Sequence, residues 1–117
     1  KDLHAAKEIF VNTKNYVSVL FYIHLFIEKA LKAYYVQKKK THAPFSHNLL
    51  FLSKEAGLDA CENYNKLMSE INEFNIECRY PDEKFGIYKK ATKSFTVKYL
   101  NKAEELHAWI LGQLKQM

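Results

Sequence analysis

The sequence predicts an all-α fold, a single bundle of about five helices around one core, spanning residues 1–117. Three observations predict it. Apolar residues recur at three-and-four spacing along most of the chain. Only three glycines and two prolines occur, too few to punctuate the turns of an all-β domain of this size. A chain of 117 residues also suits one hydrophobic core. No internal repeat, low-complexity tract or interdomain linker divides it.

Asp2 to Thr13 carries Leu3, Ala6, Ile9 and Phe10 at helical spacing and reads as a short amphipathic helix. Asn15 can cap a second helix, whose Tyr16, Leu20, Ile23, Ile27, Ala30, Leu31 and Tyr34 repeat through to the lysine run Lys38 to Lys40. Lysines in that last turn favour the negative end of the helix dipole. Pro44 cannot continue a helix, and Ser46 is the expected N-cap of a third, His47 to Ala56, with Gly57 where a helix-ending glycine is wanted. Asp59 and Glu62 have capping-box spacing ahead of a fourth helix bearing Leu67, Met68, Ile71, Phe74 and Cys78, which Pro81 stops after Arg79. Asp82 to Lys93 lacks periodicity and reads as a loop. Phe95, Tyr99, Leu100, Ala103, Leu106, Ile110 and Leu114 then define the last helix.

The formal charge of +5 makes acidic partners electrostatically plausible, but 17 of the 18 basic residues are lysines and only Arg79 is arginine. That composition argues against bidentate recognition by an arginine array. Cys61 and Cys78 are too few for a disulfide framework and lack zinc-like spacing, so a reducing compartment fits best and no metal is expected. The apolar stretch Tyr16 to Val36 is interrupted by His24, Glu28, Lys29 and Lys32, which speaks against a membrane span. With no signal-peptide pattern at the start, a cytoplasmic location is expected. The three isolated glycines form no phosphate-cradling loop, and no cofactor is implied.

Two polar ridges interrupt otherwise apolar helices. On the second helix His24, Glu28 and Lys32 fall at i, i+4 and i+8. An ordinary solvated face would leave Glu28 and Lys32 as a helical ion pair with His24 as a bystander. A central helix has little free surface for that, so the ridge can instead face a cleft or an interface. The fourth helix carries Asn72, Asn75 and Arg79 beside its apolar stripe and runs into Arg79-Tyr80-Pro81-Asp82. The Arg79 guanidinium suits a helix C-terminus, the Glu28 carboxylate or a bound phosphate.

These residues carry a resemblance. The run from Tyr22 to Ala33, with His24 followed by Glu28-Lys29-Ala30-Leu31-Lys32-Ala33, resembles the signature of the HEPN family. Ser46-His47-Asn48-Leu49-Leu50-Phe51-Leu52 is similar to that family's T-H-x-L-x-x-L element, and Arg79-Tyr80-Pro81-Asp82 to its R-Y-P-D element. The three occur in family order. The resemblance implies a single up-and-down helical bundle of about five helices that commonly dimerises through long helices and is often encoded beside a minimal nucleotidyltransferase partner, in a toxin-antitoxin-like pairing. Some members are ribonucleases with an R-x(4 to 6)-H motif. From Arg79 the permitted positions hold Lys84, Phe85 and Gly86, so that motif is absent.

The leading expectation is therefore a non-catalytic module that binds a nucleotide or RNA phosphate as a homodimer. Its groove would be lined by Lys29, Lys32, His47, Arg79 and Tyr80, with lysine and arginine taking phosphate charge and Tyr80 stacking on a base. His24, Glu28, Asn72, Asn75 and Asp82 form the polar ridges or interface. A rival reading makes the domain an interaction or scaffold subunit in which a Glu28–Arg79 ion pair specifies assembly. Tyr34, Tyr35 and Phe45 can belong to the interface of either reading, although aromatics at helical spacing are more often core. A third makes it a ribonuclease in which His24, His47 or His107 meets Arg79 in space.

Overall fold

A computed structural model describes the backbone of residues 16–79 and 91–116, with side chains described over 16–75 and 91–116. Four helices, and no strand, occur among these residues: α1 (Tyr16–Lys39), α2 (Leu49–Glu55), α3 (Glu62–Arg79) and α4 (Lys93–Lys115). The all-α expectation holds, with four helices described rather than five. The first expected helix, Asp2 to Thr13, and its neighbour Asn15 lie outside the described residues.

Helix α1 is the centre of the molecule. It packs against α2, α3 and α4, which explains why its apolar residues run around most of its circumference. Val19, Leu20, Ile23, Ile27 and Leu31 are fully enclosed, joined by Leu49 and Leu52 of α2, Met68 and Ile71 of α3, and Leu106 and Ile110 of α4. Each such side chain contributes about 1.5–3 kcal/mol through removal from water. Tyr34 belongs to this core, as its place in the apolar repeat implies, while Tyr35 packs half-buried against it.

The helix ends show which local signals won. Lys40, with φ of 58°, takes the left-handed position that ends α1, and its N–H bonds to the Val36 carbonyl at 2.9 Å. The expected Ser46 cap is displaced by two residues. Asn48 is the N-cap of α2, its side chain accepting from the Phe51 N–H, and Ser46 Oγ accepts from the Asn48 N–H one step earlier. Gly57 ends α2 as expected, at φ of 77°. The Gly57 N–H bonds to the Lys54 carbonyl and the Leu58 N–H to the Ser53 carbonyl, the paired bonds of a Schellman ending. Glu62 opens α3 rather than occupying its third position, so the expected capping-box register with Asp59 does not apply. Thr92, read as loop, caps α4 by accepting from the Phe95 N–H.

Candidate functional site

The two polar ridges converge on the residues just before α2. From α1, His24 donates its Nε2–H to the His47 carbonyl oxygen at 2.7 Å. A carbonyl only accepts, so this bond fixes the proton on Nε2 of His24. One turn later, Glu28 Oε1 lies 3.0 Å from His47 Nδ1, and Glu28 Oε2 accepts from Lys32 Nζ at 3.0 Å. His24 Nδ1 lies 3.6 Å from the same Oε1. His24 is thus no bystander: it holds the backbone of His47 while Glu28 holds the ring. The Glu28–Lys32 pair of the solvated-face reading does form, but as one side of this cluster.

From α3, Asn72 performs the matching task. Its Oδ1 accepts from the Leu49 N–H at 2.8 Å, and its Nδ2 donates to the Asn48 Oδ1 at 3.0 Å. A seven-residue helix is not stable alone in water. Asn48 and Asn72 satisfy two of the N–H groups that its first turn leaves without intrahelical partners. His47, Asn48, Asn72 and the buried Asn75 line a small cavity of about 160 Å³ beside the imidazole.

The chemistry of the cluster follows from its burial gradient. The His24 side chain is fully enclosed, that of Glu28 is 8% exposed, and that of His47 is 50% exposed. Burial alone pushes the Glu28 carboxyl up, but hydrogen bonds from His47 and Lys32, and the charge of Lys32, bring it below its ordinary value. Glu28 is therefore a carboxylate at neutral pH. It accepts the Nδ1–H of His47, which directs the ring's Nε2 away from the carboxylate. A buried framework thus holds one half-exposed imidazole in a fixed tautomer beside a polar cavity.

A family model described as HEPN domain matches residues 1–114. The chain belongs to the HEPN domain family. No curated protein and no solved structure matches it.

In this HEPN domain two of the three quoted motifs acquire positions. The His24-to-Ala33 run is the middle of the central helix, and Ser46-His47-Asn48 is the turn that it holds. Of the residues expected to contact a ligand, Lys29 is exposed on α1, Lys32 is partly exposed and bound to Glu28, and His47 is half-exposed. Arg79 ends α3, with its side chain outside the described residues, as are Tyr80 and Asp82. The proposed Glu28–Arg79 pair accordingly falls outside them too. His107 stacks on Phe26, ring centroids 4.0 Å apart, and burial holds its pKa below the ordinary value.

A second polar feature escaped the sequence reading. Between α3 and α4 a cavity of about 450 Å³ is lined by Tyr64, Lys66, Glu70, Lys98, Lys102 and Glu105, among others. At its edge the Tyr99 hydroxyl donates to Glu70 at 2.8 Å, and burial with the neighbouring carboxylate pushes the phenol up to about 12. Among the described residues no group of three His, Cys, Asp or Glu side chains is placed to hold a metal ion, and no helix is long and apolar enough to cross a membrane.

Proposed function

We propose that this HEPN domain binds a nucleotide or an RNA phosphate, without catalysing a reaction on it, at the face formed by His47 and the neighbouring α1 lysines. The observation that carries the reading is the support given to His47. His24 and Glu28 are withdrawn from water to fix its backbone and ring, yet the ring itself remains half-exposed. Burying a histidine and a carboxylate costs free energy that ordinary packing would avoid, and an oriented imidazole beside lysines is suited to an anionic oxygen. Lys29, exposed on the same helix, and the net charge of +5 favour the same class of ligand.

Arg79 and Tyr80 complete the proposed ligand contacts, and the acting unit is a homodimer, with a nucleotidyltransferase as the candidate protein partner. Titration of ATP, GTP and a short single-stranded RNA against wild type, His47→Ala and Arg79→Ala tests the site, with sedimentation on each. Each substitution is expected to weaken binding roughly tenfold or more, the scale of one charge-assisted hydrogen bond. Equal binding by all three proteins, or none by wild type, removes the reading.

A further inference from the structure

We infer that Phe45 is a stacking platform for the base of the bound nucleotide, so that the ligand presents an unpaired nucleobase together with its phosphate. This rests on the phosphate-binding reading of His47 given above.

Phe45 is the most exposed large apolar residue of the described chain, its ring wholly in water. It does not sit on a slack segment. The Ser46 N–H bonds to the Pro44 carbonyl at 2.9 Å, an i to i+2 bond that makes Phe45 the tip of a γ-turn. Since Lys40 is the one non-glycine residue with positive φ among the described residues, this turn is the relaxed inverse form. Pro44 fixes the torsion on one side of the tip. On the other, Ser46 Oγ accepts from the Asn48 N–H, and His24 clamps the His47 carbonyl. The ring is thus carried on a short, braced turn whose ordering cost is already met within the fold.

The surroundings decide what such a ring meets. Thr41, His42, His47 and Asn48 along the same segment are exposed, and Ala43 and Pro44 are half-buried. The exposed residues that flank Phe45 in the chain are therefore polar, unlike the contiguous apolar patch that a protein partner would cover. Lys39 and Lys40 lie a few residues upstream, and His47 lies two residues downstream, within about 7 Å between Cα atoms. An aromatic face with an imidazole two residues away and lysines nearby in the chain matches a ligand with a planar ring and a phosphate. A second copy of this chain seated on Phe45 is the competing outcome.

Fluorescence titration of the whole chain with AMP, single-stranded oligo(A), duplex RNA of equal length and inorganic phosphate tests the assignment, comparing wild type with Phe45→Ala and Phe45→Trp. Phe45→Ala is expected to weaken AMP and oligo(A) roughly five- to a hundredfold, the range for one base–aromatic stack, with phosphate affinity and thermal stability unchanged. Phe45→Trp is expected to restore base binding. A tighter grip on oligo(A) than on AMP identifies a single strand as the source of the base; equal affinities identify a free nucleotide. Wild-type affinity in Phe45→Ala, a preference for duplex, or a changed association state in that variant overturns the platform while leaving phosphate binding at His47 in place. Absence of all binding by wild type removes both.

Discussion

Glu28 and His47 form a 3.0 Å carboxylate–imidazole contact that ties the turn before α2 to the middle of the central helix. Their relationship organises the surrounding contacts, since Lys32 holds the other carboxylate oxygen and His24 holds the His47 carbonyl.

Glu28→Gln keeps the shape of the side chain and removes its charge. The contacts from both His47 and Lys32 lose their charge-assisted character at a nearly buried position, so a loss of about 1–3 kcal/mol is expected. Urea denaturation checks this: the midpoint falls while the slope stays that of wild type.

The lowered Glu28 pKa fixes the sign of an acid response. Its ordinary value is 4.5, and in the folded chain it lies lower. The native state therefore favours the carboxylate, and the associated stability is fully present above the unfolded value and is lost as pH falls through the folded one. Wild type is expected to lose stability faster than Glu28→Gln as pH is lowered through and below 4.5. Parallel pH profiles for the two proteins would contradict this.

Asn72→Ala removes the acceptor for the Leu49 N–H and the donor to the Asn48 cap. A cost of about 1–2 kcal/mol is expected, comparable to losing a helix cap. Hydrogen exchange locates it: the Leu49 and Phe51 amides exchange faster, while those in the middle of α1 keep their relative protection.

Tyr99 gives the opposite pH sign. Its folded pKa, about 12, lies above the ordinary 10, so the neutral phenol is favoured by folding. That stability is present below pH 10 and is lost as pH rises through about 12. Tyr99→Phe is expected to cost about 1 kcal/mol at neutral pH and to flatten the alkaline limb of the stability curve.

Helix type and core were legible because they depend on periodicity that each segment carries by itself. The α1 pattern from Tyr16 to the lysine run matches the observed Tyr16–Lys39, and Gly57 sits where its torsional freedom was needed. The Ser46 cap was misplaced for a tertiary reason. Ser46 and Asn48 are both competent caps, and Asn72, reaching from α3, stabilises the helix that begins after Asn48. The ridges at His24, Glu28, Lys32 and at Asn72, Asn75 were visible as spacing on single helices. Their meeting at His47 depends on how α1 and α3 both pack against α2, which no local pattern encodes. Tyr34 is the simpler case, an aromatic in the apolar repeat of α1 that the packing encloses.

The most direct test of the central claim is the response of the His47 ring to ligand, followed by nitrogen-15 NMR of the imidazole resonances during titration with AMP. Saturable shifts of the His47 ring nitrogens are expected, with small or no shifts for the half-buried ring of His107 and loss of the response in Glu28→Gln at the same AMP concentrations. Binding of AMP that leaves the His47 resonances unmoved would contradict the claim.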